Sequence, residues 1–488
     1  MIIMKFGGSS LASASAFRRV VSVVHSELRR DPVIVASAMG DTTDVLLQLI
    51  GEARQGNSYM AWKLQKTIKD QHFLVSNELL PNESRELVDD YLRLTFRDLH
   101  VRMQELCEGE RLFTPELQDW TLSIGEQLSS RLLAMVLAEH CCATTHLDAR
   151  KLILTDNNFT YARPRYWETY ARIRWGVSPK ARQKVVVLGG FLGSTDEGQT
   201  TTLGRGGSDL TASIVGAALN AEEIQVWKDV DGMLTWDPRL MPGAHNVSSI
   251  SYDQASELAH AGATILHSDT VEPAKRLRIP IVIRNTFRPD AAGTRITINC
   301  EDATNSLKSI AVKKAVTLLE VNVTNPTDNC DDLIAYCKRH SSASTVIHAS
   351  AKAAYIAIDE NSPLPAEQLI GSACITAKLR SQQALITLVG NFSSDVVPRL
   401  RTALQKMSFL IVPSDVPNLS IRIIVPQYDL EQCLKRLDRE FFQMNDSQPV
   451  ANGAHSQPKP VPDADFKTSR LGGSPNRFIL SPSMIQPN

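Results

Sequence analysis

The chain has 488 residues, 43% of them hydrophobic and 22% charged, which is typical of a globular protein with about three domains. Lys and Arg number 52 and Asp and Glu number 53, so the net charge of -1 argues against nucleic acid or a membrane surface as a partner bound mainly by charge. The apolar run Leu132–Ala138 is too short to cross a bilayer, and no continuous apolar segment follows the N-terminus. The eight cysteines form no CxxC pair, which favours reduced thiols and a cytoplasmic location.

The N-terminal segment predicts a strand, a turn, a helix and a second strand. Met1–Phe6 is apolar apart from one lysine, and residues 7–10 (Gly-Gly-Ser-Ser) form the turn. Ser13 or Ser15 is expected to cap the helix, and Val33–Ala38 is the next apolar run. A unit of this kind predicts a parallel sheet covered by helices.

Helical periodicity dominates residues 42–141. One apolar helix face is formed by Leu92, Phe96, Leu99, Met103 and Leu106, and a further helix is expected to begin near Pro115, with Leu122, Leu128, Leu132 and Val136 on its inner side. Three short β-branched runs then predict strands buried on both faces, namely Lys184–Gly190, Ile224–Asp229 and Ile279–Arg284.

After residue 300 the pattern predicts two rounds of a ferredoxin-like β-α-β-β-α arrangement. The first round comprises strand Leu318–Val323, helix Asp331–His340 and a strand or hairpin over Thr345–Ile358. The second comprises strand Ala384–Gly390, helix Val396–Met407, strands Phe409–Val412 and Leu419–Val425, and helix Leu430–Phe442. The proline-rich tail, residues 444–488, is expected to be disordered.

The turn after the first strand is the first candidate site. Lys5 ends the strand, and Gly7, Gly8 and Ser9 allow backbone N–H groups to approach an anion at the start of a helix. This combination suits a nucleotide phosphate, although a tight turn with an exposed lysine is an alternative. A Walker loop is absent from the sequence, which argues against a P-loop enzyme.

A glycine-rich loop before an apolar helix is the second candidate site. Residues 200–209 read TTTLGRGGSD, in which glycines flank Arg205 and precede Ser208 and Asp209. A guanidinium held in such a loop can bind a carboxylate through two hydrogen bonds, whereas a helix cap with a surface arginine is the structural alternative. Gly190 lies in another loop at a strand end, where ligands of parallel sheets bind.

The third candidate segment follows the strand that ends in Lys228. Asp229 and Asp231 could face Mg²⁺ or ribose hydroxyls and Arg239 could face phosphate, although Asp-Gly and Asp-Pro also form ordinary turns. His260 and His267 lack further ligands at a suitable spacing, so no metal site is predicted.

Together these segments resemble the aspartate kinases of the amino-acid kinase superfamily. The resemblance covers residues 1–300, and the two C-terminal rounds resemble that family's paired ACT domains. The motifs that carry it are Lys5–Ser10, Ser37-Ala38 with Thr43, Gly125-Glu126, Gly190-Phe191, Thr202–Asp209, Asp229–Gly232, Asp237–Arg239, and Ala255–Ala259 with Gly262.

This resemblance implies an α/β fold in which a mostly parallel sheet, sandwiched by helices, is followed by two ferredoxin-like α+β ACT modules. The implied domains are a catalytic domain (1–300), ACT-like modules (308–378 and 379–443) and the tail (444–488). It also implies ATP-dependent phosphorylation of the L-aspartate β-carboxylate, which gives 4-phospho-L-aspartate, the first step towards lysine, threonine and methionine. Mg²⁺ would arrive on the ATP.

The resemblance also assigns roles to particular residues. Lys5 and Asp209 are the implied catalytic residues, the lysine offsetting phosphoryl charge and the aspartate orienting it. Substrate would be bound by Ser37, Thr43, Glu126, Arg205 and Ser208, with Glu126 at the ammonium and Arg205 at the α-carboxylate. Nucleotide would be bound by Lys5, Gly7, Gly8, Ser9, Lys228, Asp229, Leu234, Arg239 and Thr264.

The chain departs from the family pattern mainly at the nucleotide positions. Lys228 stands where the family often has threonine, Leu234 replaces a tyrosine and Thr264 replaces a lysine. The segment at Thr43 reads Thr-Thr-Asp where the family usually has Thr-Asn.

Paired ACT modules imply feedback regulation by lysine or threonine and a homo-oligomer formed through these modules. Two alternatives stay open at this point. The first alternative to an aspartate kinase is a kinase for a related small carboxylate, such as glutamate. The second is a non-catalytic amino-acid sensor that has kept the fold.

Overall fold

The computed structural model describes residues 1–262, 268–298, 300, 306–323, 344–350, 353–360, 375–412, 416 and 418–443. Four of the predictions, for Thr264, His267, helix Asp331–His340 and the tail, lie outside these residues. Within the described residues, no helix is both long and apolar enough to cross a membrane.

A mostly parallel sheet forms the centre of the N-terminal part of the chain, as predicted. The strands of this part are β1 (Ile2–Phe6), β2 (Pro32–Ala36), β3 (Thr144–Leu147), β4 (Val185–Gly189), β5 (Leu192–Ser194), β6 (Thr200–Thr202), β7 (Glu223–Lys228), β8 (Ser249–Ser251), β9 (Ile281–Asn285) and β10 (Thr294–Thr297). Eight of them form one sheet in the order β3-β4-β2-β1-β7-β9-β10-β8, whereas β5 and β6 form a separate hairpin. Only β9 and β10 are antiparallel neighbours within the eight-stranded sheet.

The apolar sequence of β1 explains its central place in the sheet. The strand pairs with β2 on one side and with β7 on the other, so its backbone is satisfied on both edges. Ile2, Met4 and Phe6 point into one core and Ile3 into the other, as the two-residue period of a strand requires. Lys5 follows the same alternation and therefore lies on the face of Ile3.

Helices cover both faces of the parallel sheet. They are α1 (Ala14–Glu27), α2 (Thr42–Arg54), α3 (Ser58–Leu79), α4 (Asn82–Cys107), α5 (Pro115–His140), α6 (Tyr166–Gly176), α7 (Ser178–Ala181), α8 (Gly207–Leu219), α9 (Tyr252–His260) and α10 (Ser268–Arg276). Apolar residues of α1 to α5 form the core on one face, and those of α6 to α10 form the core on the other. The predicted sandwich is therefore confirmed.

Two helix starts follow the predicted capping chemistry. Ser13, and not Ser15, caps α1, because its hydroxyl accepts from the Ala16 N–H at 3.3 Å. Pro115 is the first residue of α5, where its missing N–H costs nothing, and the Thr114 hydroxyl accepts from the Leu117 N–H at 3.1 Å.

The C-terminal part is a six-stranded antiparallel sheet. Its elements are β11 (Ser306–Val323), β12 (Ser344–Ala349), β13 (Ala353–Asp359), β14 (Ile375–Asn391), α11 (Val396–Ala403), β15 (Leu410–Val412), β16 (Ser420–Pro426) and α12 (Leu430–Asp438). The strand order is β12-β13-β11-β14-β16-β15. The second predicted round is confirmed in its element order, and Thr345–Ile358 forms the hairpin β12–β13.

Two long strands, β11 and β14, run through both halves of this sheet. Residues 306–313 pair with 385–391, towards β16 and β15, whereas residues 316–323 pair with 375–383, towards β13 and β12. Each half of the sheet therefore contains part of both long strands. The predicted domain boundaries at 300, 308, 378 and 443 stay predictions.

Two side chains join the C-terminal sheet to the rest of the protein. Trp236, in the segment after β7, packs into the core of that sheet with its ring centroid 5.1 Å from that of Phe442. Arg422 on β16 forms an ion pair of 3.1 Å with Glu257 on α9 and donates a hydrogen bond to the Ile347 carbonyl on β12. One guanidinium thus contacts the N-terminal α/β part of the chain and both halves of the sheet.

Candidate active site

Lys5 and Asp209 form a buried ion pair at the carboxyl edge of the parallel sheet. Lys5 leaves β1 on the face covered by α8, and Asp209 lies in the first turn of that helix. The Nζ of Lys5 is 2.6 Å from Oδ1 of Asp209, and both residues are 6% exposed. The alternative that Lys5 is an exposed turn residue is therefore wrong.

A second lysine contacts the same carboxylate. Lys228 ends β7, and its Nζ is 3.1 Å from Oδ2 of Asp209. Burial alone would raise the pKa of Asp209, but the charges of Lys228 and Lys5 outweigh it and bring the pKa down to about 2. Burial lowers the pKa of Lys5, Asp209 opposes that shift, and repulsion from Lys228 adds to it.

The turn after β1 is held by its backbone. The Gly7 N–H donates to the Trp227 carbonyl at 2.9 Å, and the Gly8 carbonyl accepts from the Gly40 N–H at 2.9 Å. A Cβ on Gly8 would lie only 2.5 Å from the Gly40 carbonyl oxygen, so this close approach requires glycine. Ser9 is half-buried in the same turn, which brings the predicted phosphate-binding residues beside Lys5.

Glu126 is the second buried carboxylate near Lys5. It lies on α5, is 4% exposed, and its Oε2 has no hydrogen-bond partner among the described residues. Burial raises the pKa of Glu126 to about 8, although the Ala38 N–H and the charge of Lys5 act in the opposite direction. A buried carboxylate with an unsatisfied oxygen is suited to binding a cationic group of a ligand.

The loop after β2 brings two more predicted substrate residues to this edge. Ser37 directly follows β2, and its carbonyl accepts from the Ser129 hydroxyl at 2.6 Å, one turn beyond Glu126 on α5. Thr43 is the second residue of α2 and is half-buried. Both side chains therefore lie at the same edge of the sheet as Lys5.

The glycine-rich loop places Arg205 and Ser208 just before Asp209. Gly204 and Gly206 have φ angles of +73° and +75°, which glycine adopts without steric cost, and Arg205 between them is exposed. A Cβ on Gly190 would lie 2.6 Å from the Cβ of Ser208, so the strand-end loop and the start of α8 touch directly. Arg205 therefore lies four residues before Asp209 in the chain, on the same side of the sheet as the Lys5–Asp209 ion pair.

The remaining predicted nucleotide residues lie after Lys228, the last residue of β7. Asp229 is exposed, and the Leu234 carbonyl accepts from the Ser309 hydroxyl of the C-terminal sheet at 2.7 Å. Arg239 is exposed and paired with Asp237 at 2.7 Å. Their contact with nucleotide stays a prediction, as does that of Thr264, which lies outside the described residues.

Asp119, a carboxylate two helical turns before Glu126 on α5, was not predicted from the sequence. Its Oδ1 accepts from the Thr202 hydroxyl at 2.6 Å, and its Oδ2 accepts from the N–H groups of Thr202 and Thr160 at 2.9 Å each. Asp119 is fully buried, and burial raises its pKa while these three donors lower it. The available sequence signal was an acidic residue on the inner face of an apolar helix.

Asp119 and Tyr161 together fix the loop that carries Arg205. Thr202 is the last residue of β6 and lies three residues before Arg205. A Cβ on Gly204 would lie 2.6 Å from a ring carbon of Tyr161, so the aromatic ring packs against the loop backbone. The guanidinium is exposed, but the backbone that carries it is anchored from both sides.

The described part of the chain contains no group of three or more His, Cys, Asp or Glu side chains arranged to hold a metal ion. A Mg²⁺ ion bound mainly by phosphates and water does not need such a cluster, because one or two carboxylates suffice. Asp229 and Asp231, which follow β7, are the carboxylates that the sequence suggested for this role.

Comparison with known proteins gives consistent results. The model of the amino acid kinase family matches residues 1–285. Aspartokinase 1, chloroplastic, of Arabidopsis thaliana is 31% identical over 472 residues, which covers 91% of this chain and 80% of the relative. The crystal structure of E. coli aspartokinase III in complex with aspartate and ADP (R-state) has a TM-score of 0.77 at 26% identity and covers 91% of this chain and 100% of that one.

A second structure of the E. coli enzyme, in complex with lysine and aspartate (T-state), has a TM-score of 0.75 at 26% identity and covers 91% and 99% of the two chains. Both the sequence and the structural similarity thus extend over the C-terminal sheet as well as the α/β body. The chain belongs to the amino acid kinase family and, within it, to the aspartokinases.

Proposed function

We propose that the protein transfers the γ-phosphate of ATP to the β-carboxylate of L-aspartate and so produces 4-phospho-L-aspartate. The observation that carries this proposal is the arrangement of Lys5, Asp209 and Glu126, three buried ionisable groups at one edge of the sheet. Lys5 lies beside the Gly7–Gly8 turn, where its charge suits an anion, whereas Glu126 has an unsatisfied oxygen that suits a cation. A nucleotide phosphate matches the charge of Lys5, and the ammonium of an amino acid matches the carboxyl group of Glu126.

The chemistry needs positioning and charge neutralisation more than proton transfer. The aspartate β-carboxylate is already ionised at neutral pH, so one of its oxygens attacks the γ-phosphorus without a general base. The new O–P bond forms as the bond to the β,γ-bridging oxygen breaks, and the ADP formed keeps that electron pair. Lys5 stabilises the negative charge on the transferring group, and Asp209 orients Lys5.

The proposed binding roles are those that the family resemblance implies. Glu126 binds the substrate ammonium and Arg205 its α-carboxylate, while Ser37, Thr43 and Ser208 donate hydrogen bonds to the substrate. The nucleotide phosphates lie on the turn formed by Gly7, Gly8 and Ser9, and Lys228, Asp229, Leu234, Arg239 and Thr264 complete the nucleotide side. Mg²⁺ carried by the nucleotide supplies further neutralisation of phosphate charge.

Trapping of the acyl phosphate tests the proposed function. The purified protein with MgATP, L-aspartate and hydroxylamine is expected to form the aspartyl hydroxamate in proportion to the ADP released. L-glutamate and other small carboxylates serve as competing acceptors. Hydroxamate formed only with another acceptor would assign a related carboxylate kinase, and ATP consumption that does not respond to any amino acid would favour a sensor.

Replacement of Asp119 tests its role in positioning Arg205. Asp119→Ala is expected to raise KM for aspartate about tenfold with a smaller effect on kcat, because two backbone N–H groups lose their acceptor and the loop loosens. Asp119→Asn can still accept hydrogen bonds from the backbone N–H groups, so its KM for aspartate is expected to lie between those of the wild type and Asp119→Ala. Steady-state kinetics with varied aspartate measures the split between KM and kcat.

Asp89→Ala is the matched control, because Asp89 is a buried carboxylate on α4 that accepts from the Ser76 hydroxyl at 2.7 Å, away from this loop. It is expected to lower stability without changing KM. Equal KM values for Asp119→Ala and the wild type would show that Asp119 contributes only to folding.

We further propose feedback inhibition through the C-terminal sheet, with lysine or threonine as the effector. The E. coli structure that contains lysine supports lysine as the first amino acid to test. Arg422 supports a path to the active-site domain, since it contacts both Ile347 in the sheet and Glu257 on α9. Turnover is expected to fall as lysine or threonine is added, and turnover that responds to neither would contradict the proposal.

The edges of the C-terminal sheet support a homo-oligomer formed through the ACT-like modules. Among the described strands, β12 and β15 lie at the two edges, and exposed edges are ready to pair with another chain. Light scattering coupled to size-exclusion chromatography tests the oligomeric state.

The cysteines at 107, 141, 142, 300 and 433 are free thiols, which supports the cytoplasm as the location.

A further inference from the structure

Two tryptophans lie on the outer face of α6. Trp167 is 83% exposed and Trp175 is 84% exposed, whereas Trp227 and Trp236 are buried. Ala171 lies midway between the first two and is also exposed. Because residues four positions apart are neighbours on a helix surface, the three side chains form one stripe. Isolated exposed apolar residues are common, but two indoles on one stripe are typical of a contact site.

The opposite face of α6 is already occupied by the protein's own core. Thr169 and Ile173 are buried, and Ile173 belongs to the core that α8 helps to form. The Nε of Arg174 donates a hydrogen bond to the Ala218 carbonyl of α8 at 2.9 Å. These contacts fix the orientation of the helix, so the tryptophan stripe points away from the protein.

Opposite charges border the stripe on one side. Glu168 and Arg172 are four residues apart, so they lie on the same flank. Arg165 donates a hydrogen bond to Oε1 of Glu168 at 3.0 Å, which lowers the pKa of Glu168 and keeps the carboxylate ionised. Arg172 is exposed. A face with one anion and one cation suits a partner that presents the same charges in reverse order, as a second copy related by two-fold symmetry does.

An antiparallel pair of α6 helices, related by a two-fold axis at Ala171, brings these features together. Trp167 and Trp175 each lie about 6 Å along the helix from Ala171, so Trp167 of one copy comes level with Trp175 of the partner subunit. Ala171 carries a single methyl group, which allows the two helices to approach closely. Arg172 lies about 1.5 Å beyond the axis and Glu168 about 4.5 Å before it, so Arg172 comes within about 3 Å of the level of Glu168 of the partner subunit.

We propose that α6 is a self-association face, on which the stripe of Trp167, Ala171 and Trp175 packs against the same stripe of a second copy. Four indoles that bury about 150 Å² or more each supply roughly half of the ~1,200 Å² found in the smaller stable interfaces. The association is therefore weak and depends on concentration. It lies outside the C-terminal sheet, so it adds to any pairing through the ACT-like modules, and it does not depend on kinase activity.

Sedimentation equilibrium of the full chain at increasing concentration tests this proposal. The average mass of the wild type is expected to rise to twice the mass of a variant that carries both Trp167→Ser and Trp175→Ser, whichever assembly the ACT-like modules form. Trp62→Ser is the matched control and is expected to behave as the wild type, because Trp62 is a half-exposed tryptophan of α3, which covers the other face of the parallel sheet. A wild type whose mass equals that of the double variant at every concentration would overturn the proposal.

Exchange of the flanking charges tests the two-fold arrangement. Glu168→Arg and Arg172→Glu are each expected to weaken the association about tenfold, because like charges then face each other between the two copies. Mixing equal amounts of the two variants is expected to restore the association of the wild type, since each copy then meets the opposite charge at both positions. No recovery on mixing would contradict the proposed pairing. Binding to phosphatidylglycerol vesicles that Trp175→Ser abolishes, without self-association of the wild type, would assign the face to a membrane surface instead.

Discussion

Replacement of Lys5 with alanine is expected to lower kcat about 10³-fold, the effect of removing a preorganised charge from a buried phosphoryl-transfer site. The ammonium of Lys5 is 6% exposed and lies at the end of β1 beside the glycine turn. The fold is expected to persist, because Asp209 keeps Lys228 as a counter-charge at 3.1 Å and is not left as an unpaired buried anion.

Two measurements separate a catalytic role of Lys5 from a structural one. Hydroxamate formation gives the turnover, and thermal unfolding monitored by circular dichroism gives the stability of the same preparation. Lys66→Ala is the matched control, because Lys66 is an exposed lysine whose loss changes one surface ion pair. Full turnover of Lys5→Ala would show that the lysine serves only to fix the turn.

The part of the site that could be predicted from the sequence is the part formed by residues at the ends of parallel strands. Apolar runs placed β1, β2 and β7 in one sheet, and the carboxyl ends of parallel strands meet at one edge. Lys5 and Lys228 were both assigned to the nucleotide by the family resemblance, and their shared contact with Asp209 was not predicted. In the structure, the two-residue period of β1 places Lys5 on the face opposite Phe6 and towards α8.

Other features depended on packing that a linear pattern does not contain. The strands β3, β8 and β10 were not predicted, because they are three or four residues long and carry polar residues at the outer part of the sheet. Only one part of each shared strand was predicted, Leu318–Val323 of β11 and Ala384–Gly390 of β14, since each apolar run was assigned to one module. Asp119 was missed because its three donors come from residues 41 and 83 positions away in the chain.

The two carboxylates of the site differ because their surroundings differ. Asp209 touches two lysines, which hold its pKa near 2, so it stays ionised under all ordinary conditions. Glu126 is equally buried, and burial raises its pKa to about 8 because the backbone N–H groups of Ala38 and Glu126 and the charge of Lys5 offset this effect only in part. Asp209 can therefore orient Lys5 permanently, whereas Glu126 awaits a positive ligand.

The raised pKa of Glu126 predicts that aspartate binding depends on pH. The folded pKa of about 8 lies above the ordinary value of 4.5, so the folded protein holds this proton more tightly than the unfolded chain does. Its contribution to stability is therefore present at acid pH and is lost as the pH rises from 4.5 towards 8. Substrate binding has the opposite dependence, because the ammonium of aspartate requires the ionised carboxylate.

KM for aspartate is accordingly expected to fall about 50-fold between pH 6 and pH 8, as the ionised fraction of Glu126 in the free enzyme rises. Glu126→Gln imitates the protonated acid, so its KM is expected to match that of the wild type near pH 6 and to stay high at pH 8. Steady-state kinetics at saturating MgATP over this range measures both enzymes. A wild-type KM that does not change with pH, or a glutamine variant that equals the wild type at pH 8, would show that Glu126 does not bind the substrate ammonium.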